Sequence, residues 1–216
     1  MVSVDFHLSR VVLPRADVYA MHQMLWRAFD AVEPKERSFL FRADPLGDGA
    51  SDRLVVLVQS EVAPAWDRLK PALSDAKTKH VTVTVEAGSS FRFLLRANPT
   101  VARKGRSEPA TKDLSGAAFR AARGHRVGIL RDEERRTWLD RLALAAGFAT
   151  VGPVALLRPA SVGWTRNGSG AAAKHDSIDM EGYLRVDDPE LFQAAVTSGI
   201  GSAKAFGFGL LSLASG

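Results

Sequence analysis

Twice along this chain, a stretch with the two-residue alternation of a strand gives way to one with the 3.6-residue period of a helix. Each time, two more strand-like stretches, a second helical stretch and a closing strand follow. In the first half Val4, Phe6 and Leu8 alternate and run into Val11-Val12-Leu13 before Pro14, which ends a strand by removing a backbone donor. A helix is expected over residues 17–29. At about 100° per residue, Val18, Met21, Leu25, Ala28 and Phe29 share one face, with Tyr19, His22 and Trp26 along its edge. Residues 38–43 and 53–59 read as a hairpin across a Pro- and Gly-rich turn. A short helix over 63–70 and a strand over 80–86, marked by Val81, Val83 and Val85, complete this half.

The second half repeats the order. Residues 91–97 read as a strand, and Asp132 stands where it can cap a helix over 133–146, with acidic residues in its first turn and Gly147 as its stop. Strands over 150–158 and 178–186 flank a Gly- and Ser-rich stretch, 164–174, the tip of a long basic hairpin. Asp188 before Pro189 caps a helix that Gly199 ends, and a closing strand is expected over 206–213. The chain therefore reads as α+β, two tandem ferredoxin-like (RRM-like) βαββαβ domains over residues 1–88 and 89–216. Each would be a four-stranded antiparallel sheet with two helices on one face.

Composition then narrows function. There is no Cys, which removes disulfides, thiolate nucleophiles and Cys-based zinc or iron–sulfur sites. No apolar run approaches the ~20 residues that cross a bilayer, and the first residues lack the basic-then-apolar pattern of a signal peptide, so no membrane association and a cytoplasmic location are expected. The net charge of +5 is modest but concentrated. Between Arg96 and Arg126 eight basic residues (Arg96, Arg103, Lys104, Arg106, Lys112, Arg120, Arg123, Arg126) face only Glu108 and Asp113. A solvated loop has the same composition, but the concentration points to a polyanion partner.

Enzyme motifs are mostly missing. The five histidines, His7, His22, His80, His125 and His175, form no i,i+4 pair, so neither a metal nor any other cofactor is expected. No nucleophile elbow or Walker loop is present. Gly199-Ile-Gly201 with Lys204 lacks the third glycine of a dinucleotide loop and follows a helix. Lys204-Ala-Phe-Gly-Phe-Gly-Leu-Leu resembles the aromatic RNA-binding strand of RNA recognition motifs, although on the last strand. Phe206 and Phe208 packing in the core explains it as well. His22, with Tyr19 one turn before and Trp26 one turn after, has by position alone the character of a packed histidine.

Four segments in order change that weighting: Tyr19-Ala-Met-His22-Gln-Met-Leu-Trp26-Arg27-Ala-Phe29, Phe39-Leu-Phe41-Arg42, Phe93-Leu-Leu-Arg96-Ala-Asn98-Pro99, and Gly199-Ile-Gly201 through Lys204 to Gly207-Phe-Gly209-Leu-Leu-Ser-Leu213. Across essentially the whole chain they resemble the CasE family, the CRISPR-associated endoribonucleases of type I-E systems. The resemblance implies two ferredoxin-like domains, metal-independent cleavage of CRISPR repeat hairpin RNA, and retention of the mature guide RNA with the other Cascade subunits. The isolated chain is expected to be monomeric. Family members carry Gly-Lys-Arg where this chain has Gly124-His125-Arg126, which makes the charge at 125 pH-dependent.

By the same resemblance His22 is the catalytic residue and Tyr19 lies in its active site. The implied reaction is attack by the neighbouring 2′-hydroxyl, leaving a 2′,3′-cyclic phosphate and a 5′-hydroxyl. An imidazole suits the proton transfers at neutral pH. Arg27 is a candidate for offsetting phosphate charge, although helical geometry turns it away from His22. The expected RNA contacts are Arg96, Arg103, Lys104, Arg106 and Arg126 in the basic segment, Arg158, Arg166 and Lys174 on the hairpin by position, and Lys204 in the Gly-rich motif. The alternative from another class is a non-catalytic module that holds structured RNA while His22 merely packs.

Overall fold

A computed structural model describes residues 1–29, 38–47, 51–103, 125–165 and 172–215. Its strands are β1 (Val2–Pro14), β2 (Phe39–Pro45), β3 (Arg53–Ser60), β4 (Asp75–Val85), β5 (Ser90–Ala97), β6 (Thr100–Arg103), β7 (His125–Gly128), β8 (Phe148–Thr165), β9 (Ala172–Val186) and β10 (Leu211–Ser215). Its helices are α1 (Val18–Trp26), α2 (Asp132–Ala145) and α3 (Pro189–Ser198), with 3-10 turns at Trp66–Leu69 and Lys204–Phe206. Two four-stranded sheets form, in the orders β2-β3-β1-β4 and β10-β5-β9-β8, and every pairing is antiparallel. In each sheet the first and third strands of a βαββαβ unit lie at the centre, which is the ferredoxin-like arrangement.

Burial follows the alternation. Val11 and Leu13 of β1, Val56 and Val58 of β3 and Phe39 and Phe41 of β2 close on Met21 and Leu25 of α1. A second core gathers Phe93, Leu95, Trp138, Leu139, Phe148, Met180, Leu184, Phe192 and Val196. Val4 and Val85 of the first sheet belong to this second core, so the two sheets share apolar surface. Polar ties reinforce the junction: the buried Gln59 amide donates to the Val196 carbonyl (2.7 Å), and the Gln193 amide to the Ser3 carbonyl (2.6 Å).

Several elements depart from expectation, each for a local reason. The helix expected over 63–70 is only the Trp66–Leu69 turn, because Pro64 and Pro71 bracket too few residues and Lys70, just before a proline, is extended at ψ 141°. Asp132 does not cap α2. Arg131 occupies the cap position without a side-chain bond, and the Asp132 carboxylate, already inside the helix, accepts from Arg135 Nη1 at 3.0 Å. Three acidic residues in the first turn still complement the helix dipole. The closing strand begins at Leu211, not 206, because Gly207 and Gly209 adopt φ of +83° and +86°, values no regular strand contains. The hairpin strands run on to Thr165 and back from Ala172, past the expected ends at 158 and 178, because the backbone ladder needs no particular side chains. An unanticipated ladder, β6–β7, pairs Thr100–Arg103 with His125–Gly128 at the two ends of the basic segment.

Candidate active site at the junction of the two sheets

Helix α1 starts at Asp17, whose carboxylate accepts from the Tyr19 and Ala20 backbone amides at 2.9 and 2.8 Å. Its buried face, Met21 and Leu25, locks it onto the first sheet and turns the half-buried Tyr19, His22 and Trp26 toward one flank. The Trp26 indole N–H donates to His22 Nε2 at 2.8 Å. An indole nitrogen only donates, so this bond uses the Nε2 lone pair and leaves Nδ1 to carry the proton of the neutral ring. The imidazole also lies over Phe41, at 6.4 Å between ring centroids and 23° between planes, and beside Phe39 at 5.8 Å.

The glycine-rich segment closes against this region. At Gly199 (φ +78°) a Cβ would come within 2.8 Å of Leu40 Cδ2 on β2. At Gly209 (φ +86°) it would meet the Ile200 carbonyl oxygen at 2.7 Å. Only glycine therefore lets this loop lie flush on the first sheet. Between the loop, α1, β2 and the hairpin strands lies a cleft of about 240 Å³, lined by Val18, Phe41, Arg96, Arg158, Ser177 and Phe206 among others. Val18, one helical turn before His22, and Phe41, against which the His22 ring packs, both line this cleft.

Two arginines define its electrostatics. Arg96 is largely buried. It donates to Asp44 Oδ1 (2.6 Å), to both Asp179 oxygens (2.7 and 2.9 Å) and to the Ala43 carbonyl (2.7 Å). Burial alone would lower its pKa, but the hydrogen bonds and charges of Asp179 and Asp44 outweigh it and hold the guanidinium above its ordinary value. Burial likewise pushes the Asp44 carboxyl up, while Arg96 and then Arg42 push harder the other way, and the net shift is downward. Asp179 is 1% exposed and also accepts from Arg158 Nη1 at 3.3 Å. Behind Phe206, the ring of His175 packs at 4.8 Å, and its Nδ1 lies 3.2 Å from the Asn98 amide nitrogen. Burial lowers the His175 pKa against the opposing charge of Asp176.

The fold thus brings Tyr19, His22, Arg96, Arg158 and the Lys204 turn to one region, with α1 packed against both β8 and that turn. Arg96, expected on the phosphate, is instead committed to carboxylates of both sheets. Arg27 follows the last helical residue, exposed and pointing its Nη2 toward the Arg68 carbonyl, away from His22. Arg126 is exposed and donates to Thr100 Oγ1 at 2.8 Å, and Lys174 is exposed on β9 opposite Gly163. Arg103 lies on β6, its side chain outside the description, and Lys104, Arg106 and Arg166 fall outside the described residues. Phe206 and Phe208 form no RNA-recognition strand: Phe206 sits in a 3-10 turn and Phe208 is buried. The sequence reading missed Asp44 and Asp179. The one signal was Asp179 within a predicted strand; register then sets it opposite Arg96, and the packing of one sheet on the other brings Asp44 to the same guanidinium. A larger cavity, about 590 Å³, lies between the β6–β7 ladder and α2, walled by Ile129 and Trp138, and none of the predicted site residues that are described lines it.

Two shared-core antiparallel βαββαβ units, with a histidine-bearing helix set against a glycine-rich loop, define the class of tandem ferredoxin-like proteins. Within that class the chain belongs to the family of CRISPR-associated proteins, whose description matches residues 3–215. It is 32% identical over 214 residues to the CRISPR system Cascade subunit CasE of Escherichia coli, covering 96% of this chain and 98% of that one. It is 31% identical over 210 residues to the CRISPR-associated endoribonuclease Cse3 of Thermus thermophilus, covering 92% and 90%. The structure of Thermus thermophilus Cse3 bound to an RNA representing a pre-cleavage complex superposes with a TM-score of 0.78 at 28% identity, over 97% of this chain and 99% of that one.

Proposed function

We propose that this protein is a metal-independent endoribonuclease that cleaves CRISPR repeat hairpin RNA and retains the guide RNA as a Cascade subunit in the cytoplasm. The division of labour is between residues 1–88, which carry the catalytic helix, and residues 89–216, which carry the basic elements and the glycine-rich loop. The observation that carries the reading is the placement of His22. It is an imidazole packed against Phe41, a residue of the cleft where both sheets meet, in a chain whose relatives include a Cascade subunit and an endoribonuclease.

In the proposed reaction the 2′-oxygen attacks the adjacent phosphorus as the bond to the 5′-oxygen breaks. One proton leaves the 2′-hydroxyl and one reaches the 5′-oxygen. His22 handles such a transfer, for which a positioned histidine contributes about 10²- to 10⁴-fold. Engaging RNA through Nε2 requires the Trp26 indole to release that lone pair. Tyr19, one turn earlier, supplies a hydroxyl to the phosphate or ribose. Arg158 offers guanidinium donors at the cleft, while Lys174, Lys204, Arg126 and the residues of the basic segment hold the RNA backbone.

The test is cleavage of the cognate repeat hairpin in excess EDTA, comparing wild type with His22→Ala after showing equal RNA binding. Loss of cleavage with retained binding is the expected result. The packing of His22 on Phe39 and Phe41 favours the rival reading, a non-catalytic RNA-holding module. Binding without cleavage by either protein would establish that rival, and equal cleavage by both would move the active site off this helix.

A further inference from the structure

One carboxylate links the two halves of the cleft. Asp179 on β9 is almost fully buried, yet it faces two guanidinium groups. Arg96 takes both of its oxygens in a fork and reaches across to Asp44 and the Ala43 carbonyl of β2, the strand whose Phe41 packs against the His22 ring of α1. Arg158 takes one oxygen with a single nitrogen, while its side chain remains 71% exposed. Most of its N–H donors therefore stay available, and a guanidinium anchored at one corner is suited to bidentate recognition of a phosphate.

The backbone at Arg158 is built for the same purpose. Its φ of +49° is a left-handed conformation that side-chain-bearing residues rarely adopt. It falls at a break in the β8–β9 register, between Leu157 and Ala160, where a bulge re-aims a side chain. A turn needed only for its shape is better served by glycine. An arginine held there, over the cleft and against a buried carboxylate, indicates that the side chain is what the strained backbone presents.

We propose that Asp179 is a positioning residue: it holds Arg158 over the cleft to engage the RNA phosphate, in fixed relation through Arg96 to β2, whose Phe41 packs against His22 of α1. This rests on the ribonuclease reading above. Asp179 would touch no RNA, and its effect on cleavage would pass through Arg158.

The experiment is a double-mutant cycle on the full chain with Asp179→Asn, Arg158→Ala and the pair. Single-turnover cleavage rates are measured with the repeat hairpin, and affinities with a hairpin carrying a 2′-deoxy at the cleaved nucleotide. Each single variant should cleave roughly 10- to 100-fold more slowly with affinity changed by less than about threefold, and the double variant should be no slower than Arg158→Ala. Effects that multiply, or an Asp179→Asn variant that cleaves like wild type, would overturn the proposal. Should Asp179→Asn fail to fold, Arg158→Gly decides. It suits the left-handed backbone, so it should melt no lower than wild type yet cleave as poorly as Arg158→Ala, and full cleavage by it sinks the idea. A wild type that does not cleave removes the ribonuclease reading and this one together. A wild type that cleaves, loses activity with His22→Ala and keeps it with Asp179→Asn and Arg158→Gly removes this one alone.

Discussion

Arg96 shows how one side chain serves structure where charge alone suggests a ligand. Its partners are two carboxylates and a carbonyl from two different sheets, and one of them, Asp179, is 1% exposed. Without Arg96 the buried Asp179 would keep only the single, longer bond from Arg158, and an under-compensated buried charge costs far more than a surface pair is worth. Arg96→Met is therefore expected to destabilise the fold by about 3 kcal/mol. Urea unfolding checks this, and a loss below about 0.5 kcal/mol, the scale of an exposed pair, would show that the network carries little of the junction. That Tyr19 and His22 lie on one flank of one helix was legible beforehand, since they are three residues apart and the backbone period converts that spacing into proximity, whereas their proposed role came from the family resemblance. The cluster of Arg96, Asp44 and Asp179 was not, because Asp179 meets Arg96 through the β5–β9 register and Asp44 reaches it from the other sheet.

Helix α1 is short, nine residues, and carries both proposed catalytic side chains, so its ends matter more than those of a long helix. Asp17→Ala removes the acceptor for two orphan amides at its N-terminus and should cost about 1 kcal/mol. Because the frayed turn would contain Tyr19, cleavage should fall more than RNA affinity does. Thermal melts and single-turnover rates on the same variant test both parts, and an unchanged rate would place Tyr19 outside the reaction. The α3 cap by Asp188 and its stop at Gly199 were readable from sequence because caps are local chemistry. The length of the β8–β9 hairpin was not, since ladder hydrogen bonds carry the strands past the residues whose side-chain pattern marks them in sequence.

Among the described residues, the partly buried His175 and Asp44 both make stability fall on acidification. His175, depressed by burial, binds a proton less readily folded than unfolded, so its contribution is complete above its ordinary pKa of about 6.5 and declines as pH falls through that value. Burial opposes ionised Asp44, but Arg96 and Arg42 prevail and depress its pKa. Its contribution is therefore held above about pH 4 and lost as pH drops further. The melting temperature should decline in two stages, one beginning near pH 6.5 and one below pH 4, with the first removed by His175→Phe. Persistence of the first stage in that variant would assign it to another histidine.

The amino-acid sequence alone determined the element order, the helix carrying His22 and Tyr19, the caps of local origin and the concentration of positive charge, because each depends on spacing within a few residues. Tertiary structure decided which strands pair and where glycine permits a loop to lie on β2. It also decided that Arg96 is a tie between sheets while Arg158 keeps its donors exposed. The physical reason is that the charge state of a side chain is written in its identity, but its availability depends on which buried partners the fold places against it.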